Sequence, residues 1–249
     1  MRLTVLGSAA SYPGPGRACA GYLVQTATTS VLLDCGNGVL SNLGRVIDPV
    51  SLSAVVVSHG HIDHFADVFA LQAALRYAPT GPVPPLPLFL PVGLFERMEA
   101  LLGEHGGREL REAFRVHDIR PHASIVVGDL TIVPSPVDHG QEACAMVVTG
   151  GGATLCYTGD TKLGDAVREA ARGVGTLLAD ATLPEEYAGR APHMTPAEAA
   201  DLAHEAGAHT LVMTHLWPTV DRARALADAQ GRFGGRVIVA DENLALDID

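Results

Sequence analysis

Three imidazoles and a carboxylate fall within six consecutive positions in Ser58-His59-Gly60-His61-Ile62-Asp63-His64, directly after the apolar run Ala54-Val55-Val56-Val57. The run reads as a buried strand. Gly60 is expected to let the chain turn sharply at its end. A tight turn off a rigid strand aims several side chains at one point. His59 and His61 can reach one metal ion, and Asp63 and His64 point to a second. Neutral imidazole and carboxylate are ligands that suit zinc and similar divalent ions. A histidine-rich surface turn is the plain alternative, but this density and order of ligand types serves no packing purpose.

Two ions need further ligands, and other strand ends supply them. His139 lies in Val137-Asp138-His139-Gly140, after a strand ending near Pro134. Asp160 ends a strand in Tyr157-Thr158-Gly159-Asp160-Thr161, where Gly159 allows the turn, and His215 ends Leu211-Val212-Met213-Thr214-His215. Together they complete two shells: His59, His61 and His139 for one ion, and Asp63, His64 and His215 for the other. Asp160 can bridge both.

The pattern around these ends is strands first, then strand–helix alternation. Strands are expected over 3–6, 21–25, 31–33, 88–90, 124–127, 130–134, 143–149, 153–157, 176–179, 210–213 and 237–240. Helices are expected over 38–45, 65–77, 93–102, 163–171, 195–206 and 222–231. Short glycine turns followed by βα units predict an α/β fold, two mixed sheets stacked face to face with helices outside. The proline-rich stretch 79–87 reads as a connector that cannot be helix or central strand. At 249 residues and 47% apolar content, one domain over 1–249 with a sizeable core is expected.

Charge and cysteine usage narrow the partners. The formal net charge is −11, with 17 basic against 28 acidic residues and Lys162 as the one lysine. A protein that grips a nucleic-acid backbone usually carries a basic stripe. Arg108, Arg111 and Arg115 can share a helix face, but they read as solvated charges. Cys19, Cys35, Cys144 and Cys156 are scattered, and read as buried, reduced thiols of a cytoplasmic protein. No signal peptide is expected, and no uncharged apolar stretch reaches the ~18 residues that a membrane helix needs.

The ligand residues and their order resemble the metallo-β-lactamase superfamily, and within it the ribonuclease Z-like and cyclic-nucleotide phosphodiesterase-like branch. The resemblance extends over nearly the whole chain and is carried further by 157–161, 179–183, 210–218 and, more loosely, 87–96. It implies a four-layer αββα sandwich with the metals at one edge, each ion coordinated as above, and a homodimer. It implies a buried Asp-x-Gly at Asp34-Cys35-Gly36, which places Cys35 near the site. The branch rests on Pro192-His193-Met194-Thr195, where the family's histidine sits beside the metals and assists leaving-group departure. Thr195 is also an N-cap candidate, with Pro196 at the first helical position and Glu198 three residues on.

Two departures stand out. The family's Gly-Leu after the metal motif is here Asp67-Val68. Bacterial ribonuclease Z also carries a basic tRNA-gripping arm between the ligands matching His139 and Asp160, which here stand only 21 positions apart. That leaves no room for the arm.

The implied chemistry is metal-assisted hydrolysis, with two divalent ions, zinc by default and manganese or iron as alternatives. A water bridging two such ions loses a proton near neutral pH, far below the ~15.7 of bulk water. Asp63 can accept that proton, and His193 can protonate the departing alkoxide. The preferred reading is a phosphodiesterase for a small phosphodiester, such as a cyclic nucleotide. A tRNA 3′-processing endonuclease and a thioester or lactone hydrolase are the alternatives. A metal-binding sensor without turnover is disfavoured because no ligand position is broken. The remaining histidines, His105, His117, His122, His204 and His209, read as surface residues on helices or loops. Trp217 and Pro218 line either the pocket or a dimer contact, and loops 8–17 and 78–87 are expected to set the substrate.

Overall fold

In the computed structural model, which describes residues 1–79, 81 and 83–248, fourteen strands form two seven-stranded sheets. The first sheet opens with an antiparallel meander, β1 (Arg2–Gly7), β2 (Gly21–Gln25) and β3 (Ser30–Leu33). After α1 (Val39–Leu43) it continues in parallel through β4 (Ala54–Val56), β5 (Leu86–Leu90) and β6 (Phe114–Asp118). Helices α2 (Val68–Arg76) and α3 (Leu94–Ala113) make the crossovers.

The second sheet repeats this organisation without repeating the sequence. Strands β7 (Ile125–Val127), β8 (Leu130–Pro136), β9 (Cys144–Gly150) and β10 (Ala153–Tyr157) pair antiparallel. Strands β11 (Thr176–Asp180), β12 (Thr210–Thr214) and β13 (Arg236–Val239) then add in parallel, linked by α4 (Asp165–Ala171), α5 (Pro196–Ala206) and α6 (Arg222–Gln230). Last, β14 (Ala245–Asp247) returns to the first sheet and pairs antiparallel with β1.

Three apolar layers hold this sandwich, and the two-residue period of a strand explains each. Along β3, Val31 and Leu33 enter the layer between the sheets, while Leu32 enters the layer under α1, α2 and α3. Along β11, Leu178 faces the other sheet, while Leu177 and Ala179 face the α4–α6 helices. Burial on both faces is why these strands read as continuous apolar runs rather than alternating ones. The expected four-layer αββα architecture is the one observed.

Several local expectations need correction. Pro87 belongs to β5, a strand with neighbours on both sides. It is tolerated there because pairing with β4 starts only at Leu88, so no bond to β4 needs the missing Pro87 N–H. The connector expected over 79–87 includes residues 80 and 82, which lie outside the described residues. The charged segment after 102 continues helical in α3, across a break at Gly103 (φ 66°), because Leu110 and Ala113 extend the buried face begun by Leu94 and Met98. It ends in β6, so Arg115 lies on a strand and cannot share a helix face with Arg108 and Arg111. His117 is likewise a half-buried strand residue, its ring stacked 4.8 Å from Phe89. The four cysteines are free and buried, as expected. Among the described residues, no helix is long and apolar enough to cross a membrane.

Candidate metal centre

The strand ends of both sheets converge at one edge. β4 stops at Val56, and the chain passes through His59 and His61 into a 3-10 turn over Ile62–His64. His139 sits between β8 and β9, Asp160 just beyond β10, and His215 just beyond β12. The exits are sharp because Asp34, Gly159 and His215 adopt left-handed φ values of 56°, 59° and 54°. For a non-glycine residue that conformation costs on the order of 1–3 kcal/mol. Gly36 is needed for a different reason: a Cβ there would lie 1.9 Å from the Asp63 carbonyl oxygen. Gly60, expected to enable the turn, does not. Its φ is not left-handed and a Cβ would meet nothing nearer than 3.7 Å. The turn is made instead by the 3-10 bonds from His64 N–H to His61 O (3.0 Å) and from Phe65 N–H to Ile62 O (3.2 Å).

All seven expected ligand side chains meet here in two groups, and a third, Asp160, Asp180, His193 and His215, overlaps both. His59, His61, His139 and Asp160 offer ligand atoms within 4.8 Å of one another, as do Asp63, His64 and His215. Asp160 lies between the groups. Its Oδ2 is 3.6 Å from His59 Nε2, 3.7 Å from His139 Nε2 and 3.3 Å from His64 Nε2. Asp63 is held by its Oδ2, which accepts from Ser11 N–H at 2.7 Å and lies 3.3 Å from His215 Nε2.

Outer hydrogen bonds decide which ring nitrogens face the cluster. His139 Nδ1 lies 3.2 Å from the Pro192 carbonyl, which can only accept, so the proton is on Nδ1 and the Nε2 lone pair points inward. Ser58 Oγ donates to Asp34 Oδ2 (2.8 Å) and therefore accepts from His59 Nδ1 (3.0 Å). By the same logic His215 Nδ1 donates to Thr182 Oγ1 (2.8 Å), which donates to Asp180 Oδ1 (2.6 Å). His64 Nδ1 is 2.7 Å from Asp34 Oδ2, which also accepts from Tyr157 Oη at 2.6 Å. Such outer partners orient imidazoles and raise their basicity as metal ligands. Inward lone pairs meeting a carboxylate with few protons between them make a donor set that fits a cation. Asp160 Oδ1 adds to the case. It is buried without a hydrogen-bond partner, since the nearby His215 Nδ1, at 3.4 Å, spends its proton on Thr182.

The electrostatics agree. Burial pushes His59, His61 and His139 below the usual imidazole range, leaving neutral donors. Burial also opposes charge on His64, but Asp160 and Asp34 outweigh it and hold that ring well above the usual range. Burial would raise Asp160 and Asp63 as well. The imidazoles of His215, His64 and His59 hold Asp160 low, and the His215 hydrogen bond and His64 hold Asp63 low.

His193 stands beside both groups. Its ring stacks on His215 at 5.6 Å and meets His139 edge-on at 4.9 Å, and its Nδ1 lies 2.8 Å from Asp180 Oδ2. Burial alone would lower it, but the charge and hydrogen bond of Asp180 raise it to about 9. Its approach is set by α5, where Thr195 Oγ1 accepts from Glu198 N–H (3.2 Å) and Glu198 returns the bond to Thr195 N–H (2.9 Å). Asp180 and Thr182 were not singled out from the sequence. Nothing in their spacing marks them; the signals that reached them were the expected end of β11 near 179 and the resemblance carried by 179–183.

A family model described as the beta-lactamase superfamily domain matches residues 29–216. The chain belongs to the metallo-β-lactamase superfamily. Within it, the chain is 30% identical to the probable metallo-hydrolase YhfI of Bacillus subtilis, over 96% of this chain and 97% of that one. The crystal structure of YhfI superposes with a TM-score of 0.89, covering 99% of each chain. A ribonuclease Z of Mycobacterium marinum is 30% identical, over 97% of this chain and 96% of its own length. Uncharacterized protein Rv1339 of Mycobacterium tuberculosis is 35% identical, over 97% and 91%. These superfamily relatives include hydrolases, and the His/Asp clusters described above suit divalent metals.

Proposed function

We propose that this superfamily hydrolase is a phosphodiesterase for a small phosphodiester such as a cyclic nucleotide. The observation that carries the reading is His193, its Nδ1 2.8 Å from Asp180 Oδ2 and its ring set beside the ligand clusters with 16% of its side chain exposed. A phosphodiester needs such a group, because its departing alkoxide is a poor leaving group until protonated. Thioester hydrolysis, whose departing thiolate leaves without a proton, gives His193 no evident task.

His59, His61 and His139 are assigned to one ion, Asp63, His64 and His215 to the other, and Asp160 to both. Two divalent ions at these positions would acidify a water and neutralise phosphoryl charge, and the imidazole majority favours zinc. As the water oxygen bonds to phosphorus and the P–O ester bond breaks, His193 passes its proton to the alkoxide oxygen. The water's own proton leaves to solvent. Asp63 serves as an anionic ligand and is assigned the relay of that proton, its carboxylate being held ionised by the His215 hydrogen bond and His64.

The small-substrate choice rests on charge and space. The stretch between His139 and Asp160 is filled by β9, the Gly150-Gly151-Gly152 turn and β10. A net charge of −11 opposes approach of a polyanion. The ribonuclease Z relative favours a second reading, tRNA 3′ processing. Four buried free thiols support a reducing, cytoplasmic setting, and a homodimer completes the reading.

Metal-analysed protein should hydrolyse a 3′,5′-cyclic nucleotide and leave a 3′-extended precursor tRNA intact, with bis(p-nitrophenyl) phosphate as a control. Cleavage of the tRNA alone would reverse the choice. His193→Ala should retain the metals and lose roughly 10²–10⁴-fold in rate, whereas His61→Ala should lose metal as well. An unchanged rate in His193→Ala removes His193 from the mechanism.

A further inference from the structure

A depression of about 410 Å³ opens beside His139 and is walled by Asp138, Gln141, Lys162 and Pro192. His139 itself lines it, but the metal assignment uses none of Asp138, Gln141 and Lys162. It nevertheless adjoins the reacting edge on a defined side. The Pro192 carbonyl accepts from His139 Nδ1 at 3.2 Å, and the next residue is His193. The His193 ring meets that of His139 edge-on at 4.9 Å, and His139 lines the depression, so a departing oxygen that takes the His193 proton stands next to it.

The lining is built rather than incidental. Lys162 N–H and Thr161 Oγ1 both donate to the Asp138 carbonyl, each at 3.2 Å, tying the loop after β8 to the loop after β10. Lys162 Nζ stands 3.9 Å from Asp138 Oδ2, and both side chains are more than half exposed, so the pair is weak and open to a ligand. A carboxylate, an amide and an ammonium side by side offer acceptors and donors to neighbouring hydroxyls. They suit neither an aryl group nor a second phosphate, since Asp138 offsets the one lysine of a chain carrying −11. The volume accepts a pentose with room to spare.

We infer that this depression is the leaving-group subsite and that it receives the hydroxyl-bearing sugar of a nucleotide substrate. The inference rests on the phosphodiesterase reading and gives its substrate a chemical class. Asp138, Gln141 and Lys162 hydrogen-bond the sugar oxygens, the free 2′-hydroxyl of a 3′,5′-cyclic nucleotide among them, and so orient the ester oxygen that leaves.

The test pairs kinetics with binding. In metal-loaded Gln141→Ala and Lys162→Ala, kcat/KM for a 3′,5′-cyclic nucleotide should fall about tenfold, as for a lost hydrogen bond to substrate. The same variants should hydrolyse bis(p-nitrophenyl) phosphate, which has no sugar, within about twofold of the parent. Equal losses on both substrates, or none on either, overturn the subsite. Calorimetry separates this from failure of the phosphodiesterase reading, because it needs no turnover. A nucleoside monophosphate should bind the metal-loaded parent more tightly than phenyl phosphate, and Lys162→Ala should erase the difference. Equal affinities in the parent overturn the inference even if hydrolysis is seen. A sugar-dependent difference without hydrolysis keeps the subsite and sinks the phosphodiesterase.

Discussion

His193 and Asp180 form the pair on which the proposed proton transfer depends, and their geometry makes a pH-dependent claim about the metal-free protein. Against the effect of burial, the ring is raised from its usual 6.5 to about 9 chiefly by Asp180, with Asp160 adding to the rise and His64 opposing it. A group raised on folding stabilises the native state fully below its unfolded value and loses that contribution as pH climbs through the folded one. Stability of the metal-free protein should therefore decline between about pH 6.5 and 9, and His193→Gln should remove part of that slope in urea titrations. In NMR titrations, the imidazole of His193 should move toward ordinary values in Asp180→Asn. An unmoved midpoint would show that Asp180 does not control it. At this scale the sequence was legible only where ligands cluster. His59, His61, Asp63 and His64 announce themselves by spacing. Thr182 and the Pro192 carbonyl, the acceptors that aim His215 and His139, are brought in by the fold and no local spacing marks them, whereas Ser58 adjoins His59 in the chain and Asp34 is read through the family's Asp-x-Gly.

Among the elements, α5 carries the largest share of the site's precision, because its first turn lies two residues from His193. The reciprocal bonds between Thr195 and Glu198 satisfy N–H groups that a helix start otherwise leaves unpaired. Thr195→Ala should cost about 0.5–2 kcal/mol of stability, measured by chemical denaturation. It should also lower turnover more than metal content, since the approach to His193 loosens while the ligands stay in place. Equal loss of both would assign Thr195 a general structural role. This cap was readable from sequence because its signature is local. Strands β6 and β14 were not. Phe114–Asp118 follows a charged amphipathic helix without a turn signal, and Ala245–Asp247 is three residues long; both become strands because an existing sheet edge offers them bonds. Pro87 misled for the complementary reason: whether a missing N–H matters depends on where the neighbouring strand begins.

Over the whole molecule, the charge of −11 sets how an anionic substrate arrives. Long-range repulsion slows encounter, and salt relieves it as the Debye length contracts from about 30 Å at 0.01 M to about 8 Å at 0.15 M. The kcat/KM for a cyclic nucleotide should thus rise roughly twofold over that range, in the opposite direction from a protein that docks RNA on a basic surface. A falling value measured by steady-state kinetics would point to such a surface and to the tRNA reading.

The cluster also straddles the two halves of the sandwich. His59, His61, Asp63 and His64 come from the first sheet, whereas His139, Asp160 and His215 come from the second. Ions held there would act as a clasp across a seam otherwise closed by apolar packing and a few hydrogen bonds, such as those between Tyr22 Oη and Thr214 Oγ1 (2.8 Å) and from Tyr157 Oη to Asp34 Oδ2 (2.6 Å). Parting the sheets then requires the clasp to release first, which couples the lifetime of the native state to the rate of ion departure. Amides of β3 and β12, far apart in the chain, should exchange with deuterium as one unit while the clasp is shut and fall out of step once a chelator opens it.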